Sequence, residues 1–436
     1  MLQQAPDRTY ARQSAVAYKS INFLFTNRFI FFIILAEHLF GGDILSERII
    51  LHCDLNNFFA SVSLLSNPTL YDMPVAVCGD VEARHGIVLA KNEIAKKYGV
   101  KTAEAVWEAK AKCRDLVILP PDYKKYKEYS RAAREIYGRY TDLIEPFGID
   151  ECWLDVTGST LLFGGGEEIA HKIRKDIKRE LGITISVGVS FNKIFAKLGS
   201  DMKKPDAVTV ISKENFKEKV WPLPAADLLF VGRHTAEKLK ENGIFTIGDI
   251  PLCDDGMLTR LLGKNGLLLK KYAEGLDDSP VSPPDENYKP KSIGRSTTPD
   301  HDITGREEVW KIFLALAEEI SEELRRTSLY ATGVQVHTRD SALKVKEYAH
   351  ATEMPVNAAL LIAKYGMELF DKSYRWHLPL RSVGIRAINL KDDGFAVQED
   401  LFGHTAQNEK IEKIEDSLFS VRTRFGKNSV KRGRNI

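Results

Sequence analysis

The chain has 436 residues, of which 28% are charged and 44% apolar, and its formal net charge is only +2. That length accommodates several domains, the balance is that of a soluble globular protein, and bulk charge is excluded as the source of any nucleic-acid affinity, which must come from local clustering. The five cysteines, Cys53, Cys78, Cys113, Cys152 and Cys253, form no CxxC pair, which argues against a zinc site or a disulfide framework and fits a reducing, cytoplasmic setting.

Residues 1–46 do not match the rest. Their apolar stretch, Ile21–Ala36, is broken by Asn27 and Arg28 and is short of the roughly 20 apolar residues a membrane span needs. Arg8, Arg12 and Lys19 precede it, but Glu37 and His38 follow where a small-residue cleavage site would be needed. The segment is expected to be an extension of unknown role, with no stable membrane association. Ile49–Cys53 then runs without alternation, which predicts a strand buried on both faces and ending at Asp54. A buried carboxylate is costly unless something neutralises it.

Met73–Gly79 and Ile87–Ala90 predict short strands, and Glu93–Tyr98 a helix ending at Gly99. Tyr123–Tyr140 has tyrosines at helical spacing, read as packing. A second acidic stretch, Glu145–Asp155, places Asp150 and Glu151 side by side. Neighbours on a regular strand point to opposite faces, so both reach one site only if the chain bends, and Gly148 allows that. Asp54, Asp150 and Glu151 together could hold two Mg²⁺ ions, since hard cations take carboxylate oxygens. The alternative is that each acid is a turn or cap residue.

Glu167–Leu181 predicts a helix behind Gly164-Gly165-Gly166. Glu167 and Glu168 in its first turn would repel a phosphate and complement the helix dipole. Ile183–Val189 predicts another buried strand, giving a small mixed sheet flanked by helices. Lys193 and Lys197 follow, four apart on one helix face.

Residues 223–250 look like a helix-hairpin-helix around Gly232 and Gly243, with phosphate contacts expected at Gly232 and Arg233. Ser279–Lys291 reads as an extended linker. Strands at Lys291–Thr298, Ala331–Arg339, Lys344–Thr352 and Pro379–Asn389, with helices near Arg306–Arg326 and Val356–Tyr374, predict a four-stranded α+β unit. Its strands carry Arg295, His337, Arg339, Lys344, Lys346, Arg381 and Arg386, and alternation puts several on one face that either tracks a phosphate backbone or is merely solvated. Leu401 and Phe402 in the polar string Gln398–Phe402 suit insertion into a partner's pocket. The tail from Ser417 holds no acid and carries Arg422, Arg424, Lys427, Lys431, Arg432 and Arg434, for DNA contact or as a solvated, mobile end.

Three stretches carry a resemblance. Asp54-Leu-Asn-Asn-Phe-Phe-Ala-Ser-Val62 resembles the opening motif of Y-family, lesion-bypass DNA polymerases, Gly148-Ile-Asp-Glu-Cys-Trp-Leu-Asp155 resembles their second metal motif, and Ser186–Pro205 is similar to the end of their palm. The likeness runs from about Arg48 to the C-terminus and fits the polymerase IV branch. It implies an α+β multidomain, right-hand polymerase: a ferredoxin-like palm at 47–65 and 110–204, small fingers at 66–109, a helix-hairpin-helix thumb at 205–278, the linker at 279–291, a four-stranded α+β little finger at 292–395, and a clamp-binding motif with a basic tail at 396–436.

The resemblance also implies roles. Asp54, Asp150 and Glu151 would be catalytic and hold two Mg²⁺, with the Leu55 carbonyl as a further ligand. Phe59 matches the ribose gate of the nucleotide site, and Phe58 beside it reads as core. Lys197 matches a lysine that approaches the triphosphate. Glu93 and Lys96 stand where family members often carry a Tyr and an Arg on the triphosphate, so Lys96 keeps a charge but loses the guanidinium fork. The usual hairpin glycine two residues after Gly232 is replaced by His234. Arg295, Arg339 and Arg386 would contact DNA, and Gln398, Leu401 and Phe402 the sliding clamp. The expected partners are primer-template DNA, deoxynucleoside triphosphates and that clamp, and a monomer is expected. The expected function is template-directed DNA synthesis of low fidelity and low processivity, in translesion synthesis and repair. Another metal-dependent nucleotidyl transferase or nuclease, or a non-catalytic DNA- and clamp-binding factor, stays open.

Overall fold

The computed structural model describes residues 47–80, 86–283, 289–392, 404–426 and 429–430. The extension 1–46, the Gln398–Phe402 string, Lys427 and the last six residues lie outside them.

β1 (Ile50–Leu55) is buried along its whole length, as a run without alternation requires. It leads through Asn56 and Asn57 into α1 (Phe58–Leu65). A small sheet follows, β2 (Val75–Cys78), β3 (Val88–Lys91) and β4 (Val117–Leu119) in the order β3-β2-β4, with α2 (Glu93–Lys97) and α3 (Val106–Lys112). This unit has its own core of Ala76, Val88, Ala95, Val106 and Ala109. Asn92 caps α2 by accepting from the Ala95 N–H at 2.9 Å, and Gly99 at φ +81° turns the chain out of it.

The main sheet takes β1 as its centre. α4 (Tyr123–Tyr137) precedes β5 (Ile144–Pro146) and β6 (Glu151–Asp155), then come α5 (Gly166–Leu181), β7 (Ile185–Ser190), α6 (Lys193–Met202) and β8 (Val208–Ile211). The strand order is β5-β6-β1-β7-β8, antiparallel except for the parallel β7/β8 pair. α4 and α5 cover one face, with Tyr137, Ile169, Ile173 and Ile177 against Leu51, Cys53 and Leu55. The tyrosine stripe is therefore packing, as read. α6 covers the other face, and it lies so close to β7 that a Cβ on Gly188 would fall 1.9 Å from the Ala196 carbonyl.

A helical unit follows, built from α7 (Arg233–Glu241), α8 (Asp255–Leu262) and α9 (Lys264–Ala273) with shorter turns, around Leu228, Leu239, Ile244, Ile247, Leu258 and Leu269, in the stretch expected to be a thumb. The segment after it is not a free spacer at its start. Val281 is buried with Ile50, Trp153 and Ala196, and the Ser282 N–H donates to Glu145 Oε2 at 2.9 Å. Glu145 in turn accepts from Lys193 Nζ at 2.7 Å. One apolar residue and one backbone donor thus strap residues 279–283 to the main sheet.

The C-terminal unit has β9 (Ser292–Thr297), α10 (Arg306–Arg326), β10 (Leu329–Asp340), β11 (Val345–Val356), α11 (Ala359–Ser373) and β12 (Leu380–Asp392). Its antiparallel sheet runs β11-β10-β12-β9, and Phe313, Ile320, Phe370, Val334, Val336 and Ile385 share its core. Beyond it the expected mobile basic tail is a helix as far as Phe425. α12 (His404–Phe425) docks on this unit with Glu415 buried, Asp416 paired to Arg325 and Arg422 to Glu318. Of the tail's cations, Arg422 is claimed by Glu318 on α10, while Asp416 on α12 holds Arg325 of α10. Among the described residues no helix is long and apolar enough to cross a membrane.

Candidate active site

Period-2 alternation sorts β1 into two rows. Leu51, Cys53 and Leu55 face the apolar core under α4 and α5. His52 and Asp54 face the other way, toward α6. Register then fixes their neighbours on β6: His52 lies opposite Trp153 and Asp54 opposite Glu151. Two carboxylates therefore meet across one strand pair. Asp150 precedes β6 in a bend, and its carbonyl accepts from the Leu55 N–H at 3.1 Å, so it continues the ladder one step past Asp54. The bend that Gly148 was expected to allow is present.

Lysines neutralise this cluster. Lys204 Nζ donates to Asp54 Oδ2 at 2.7 Å, and Lys197 Nζ to Glu151 Oε1 at 3.0 Å while lying 3.6 Å from Asp54. Asp201 pairs with both lysines, at 3.1 Å from Lys197 and 2.8 Å from Lys204. Asp54 is only 6% exposed, and burial pushes its carboxyl up to about 6 in spite of both ammoniums. Burial likewise raises Asp150, with Glu151 adding to the effect. For Glu151, burial is outweighed by His52 and Lys197, which hold it well below the usual carboxylate range. Burial lowers the His52 imidazole to about 4, so the ring is neutral.

Among the described residues no group of three or more His, Cys, Asp or Glu side chains is gathered so that it could hold a metal ion as it stands. Ammonium groups lie between the carboxylates instead. The donor chemistry still fits a hard divalent cation. Every acid in the cluster offers carboxylate oxygens, and a buried Asp54 raised to about 6 is a charge that a cation would relieve.

The nucleotide-site expectations divide. Phe58 is 3% exposed and belongs to the palm core, so it faces no ligand. Phe59, on the first turn of α1, is partly buried and stacked on Tyr126 at 4.2 Å between centroids. Lys96 is exposed and lies 3.6 Å from Glu93, whose carboxylate accepts from Asn57 Nδ2 at 2.9 Å. Lys197 is bound into the acidic cluster, and Lys204, which motif reading passed over, is nearer to Asp54. Lys204 lies two residues past the end of α6 and folds back to pair with Asp201 at 2.8 Å, an arrangement that helical spacing alone does not signal.

The hairpin reading needs correcting at one position. His234 is the second residue of α7, where helical backbone needs no glycine. The left-handed residue is Phe230, at φ +70°, two before Gly232. Gly232 caps α7 in extended conformation, and Arg233 follows with its side chain 82% exposed.

On the C-terminal sheet, Gln335 lies opposite Arg386, His337 opposite Gly384 and Arg339 opposite Ser382. These side chains form the row away from the core residues Val334, Val336 and Ile385. Glu347 joins them, accepting from Gln335 at 3.0 Å and lying 3.5 Å from His337. Arg295 does not share that face. It is two residues from the core residue Ile293, so alternation turns it toward α10, where it pairs with Glu319 and Glu323.

Known proteins agree with this geometry. Residues 53–201 match the model of the impB/mucB/samB family, and residues 290–401 that of the impB/mucB/samB family C-terminal domain. The chain is 49% identical to DNA polymerase IV of Acetivibrio thermocellus over 89% of its own length and 97% of that protein. It is 37% identical to DNA polymerase IV 1 of Bacillus subtilis, over 89% and 93% of the two chains. A solved Dbh–Dpo4 Y-family DNA polymerase chimera superimposes with a TM-score of 0.70 at 26% identity, over 79% of this chain and 100% of that one. With relatives matched over almost their whole length and a Y-family architecture around the paired Asp54 and Glu151, the chain belongs to the DNA polymerase IV family.

Proposed function

We propose that this protein is a template-directed DNA polymerase of low fidelity and low processivity, acting as a cytoplasmic monomer in translesion synthesis and DNA repair. It adds deoxynucleotides to a primer 3′-hydroxyl. The observation that carries the reading is the pair of buried Asp54 and half-buried Glu151 facing each other across β1 and β6, with Asp150 one step away and Lys197 and Lys204 against them. Asp54, Asp150 and Glu151, with the Leu55 carbonyl, are the residues that would hold two Mg²⁺. Bound there, such ions supply Lewis acidity for deprotonating the 3′-hydroxyl and stabilising charge on the α-phosphate.

The chain's own groups bind and orient. Lys204 and Lys197 leave the carboxylates and turn to the triphosphate, where an ammonium offsets developing charge. Phe59, held flat by Tyr126, lies under the sugar and leaves no space for a 2′-hydroxyl. Lys96 contributes charge from the fingers. Gly232 and Arg233 hold the duplex backbone at the thumb, and Arg339 and Arg386 at the little finger. The small fingers press on the new base pair through little surface, which favours bypass over accuracy. Gln398, Leu401 and Phe402 hold the sliding clamp and offset a weak grip on DNA through effective concentration.

Primer extension with Mg²⁺ and four deoxynucleotides tests the core of this reading, beside an Asp150→Ala/Glu151→Ala variant. Extension lost in the variant supports it, whereas cleavage in place of extension points to a nuclease. Phe59→Ala tests the gate. Ribonucleotide incorporation should rise by about two orders of magnitude, and unchanged discrimination removes Phe59 from that role.

A further inference from the structure

The function proposed above gives His52 no task. It is a polar residue in the middle of a buried strand, and its ring is 0% exposed. Nδ1 lies 2.8 Å from Ser200 Oγ on α6, and Nε2 lies 3.6 Å from Glu151 Oε2. Trp153 flanks the ring edge-on at 5.3 Å. Within hydrogen-bond length Nε2 has no partner among the described residues. A buried nitrogen left that way is costly, so the carboxylate 3.6 Å away matters.

The tautomer decides what the ring does. Ser200 Oγ carries one proton and reaches both His52 Nδ1, at 2.8 Å, and the Lys197 carbonyl, at 2.7 Å. If the proton goes to the carbonyl, Nδ1 must carry the ring's proton and Nε2 turns a lone pair on a carboxylate. If it goes to Nδ1, the proton on Nε2 faces Glu151 as a donor. The second arrangement satisfies the buried nitrogen, and the first sets two acceptors against each other in a dry site. The other oxygen of Glu151 is held by Lys197, which also serves Asp54 and Asp201. Lys197 is a flexible, shared partner, whereas the imidazole is wedged between Trp153 and α6.

We propose that His52 is a positioning residue: held by Ser200 as the Nε2–H tautomer, it donates to Glu151 Oε2 and sets the orientation of that carboxylate toward a divalent cation. A small rotation of Glu151 closes the remaining gap when Lys197 leaves it. The inference rests on the reading of Glu151 as a metal-holding carboxylate.

Two measurements on the full chain test it. In the metal-free protein, ¹⁵N-histidine NMR should show an Nε2–H pattern for the resonance that disappears in His52→Phe, and an Nδ1–H pattern overturns the proposal. Mn²⁺ binding followed by electron paramagnetic resonance, with the Mg²⁺ dependence of extension beside it, should weaken about tenfold in His52→Phe at unchanged DNA affinity. His52→Gln, whose amide N–H reaches the place of Nε2, should recover to within about threefold, and Ser200→Ala should lose about threefold. Wild-type titrations in His52→Phe, or equal losses in the Phe and Gln variants, overturn the donor role. If His52→Phe does not fold, the resonance that disappears in His52→Gln identifies the ring, and its NMR pattern and Ser200→Ala decide. Glu151→Gln separates the two readings: undiminished Mn²⁺ binding and extension in that variant would remove the metal site itself, whatever the His52 tautomer.

Discussion

The two larger sheets of this protein use charge in opposite ways. In the palm, the row of β1 and β6 that faces α6 holds Asp54 and His52 buried and Glu151 half-buried, with both acids answered by a lysine at close range. In the little finger, the row away from the helices holds Arg386, His337 and Gln335 at the surface, with one acid, Glu347, among them. Buried charges are strongly coupled, so removing one disturbs all the others. Exposed charges act almost independently and are screened by salt. The difference teaches where single substitutions should abolish function and where they should only grade it.

The largest effect is expected at the strand pair. Asp54→Asn or Glu151→Gln should lower the rate of primer extension by about three orders of magnitude or more, with DNA affinity nearly unchanged. A loss of DNA binding in step with activity would mean that the acidic row is structural and erase the contrast with the little finger. Lys204 comes next. It lies nearer Asp54 than Lys197 does, at 2.7 Å against 3.6 Å. Lys204→Met should raise the KM for deoxynucleotides by about 10- to 100-fold, and Lys204→Arg should restore much of it. If Lys197→Met has the larger effect on KM, the motif-based choice of Lys197 was right and proximity to Asp54 misleads.

The division between what the sequence made legible and what it did not follows the same line. Asp54, Asp150 and Glu151 stood out because an acid at the end of an unbroken apolar run violates the pattern around it, but that left a turn or cap reading open, and only the resemblance to the Y-family motifs implied a site. The mixed palm sheet followed from unbroken apolar runs and the four-stranded C-terminal unit from alternation and helical spacing; β1, β7 and the C-terminal strands fall within a few residues of where they were expected, whereas β8 was not foreseen. Lys204 and His52 were missed because a lysine beside another lysine, or a histidine in an apolar strand, has no local meaning. Each acquires one from a partner far along the chain: 150 residues separate Lys204 from Asp54, and 148 separate His52 from Ser200. Arg295 was misplaced because charge was counted along the strands without first fixing which row Ile293 occupies. The helix that ends at Phe425 was missed because its basic residues were read for DNA contact or as a solvated end, when Arg422 pairs with Glu318 on α10 and Asp416 of the helix pairs with Arg325.

A graded effect inside the palm comes from pH. Burial holds the Asp54 carboxyl up near 6, above its ordinary value, so a proton stays on it to higher pH than on a free aspartate. A divalent cation must displace that proton. The Mg²⁺ concentration for half-maximal extension should therefore rise as pH falls from about 7.5 to about 6, and stay flat above. The extension rate at saturating Mg²⁺ should vary much less over the same pH range, and the shift in half-maximal Mg²⁺ should persist in Lys96→Ala. A flat response across the same range would mean that Asp54 is already ionised in the protein, with its lysines prevailing over burial.

The smallest effects belong to the little finger, where they separate residues of one type. Arg386 lies on the outer row and Arg295 on the helix side, paired with Glu319 and Glu323. If the outer row tracks a phosphate backbone, Arg386→Ala should weaken DNA binding a fewfold and reduce the slope of log affinity against log salt by about one. Arg339→Ala, at a half-buried position of the same row, should act alike, and the two should add, because they stand at separate register positions. Arg295→Ala should leave the salt slope unchanged and instead lower the melting temperature slightly, since it removes ion pairs to α10 and no phosphate contact. Equal slopes for Arg386→Ala and the unmodified chain would make the outer row a solvated surface. A slope change in Arg295→Ala would mean that the guanidinium leaves its two glutamates when DNA arrives, and that the inner row, too, takes part in binding.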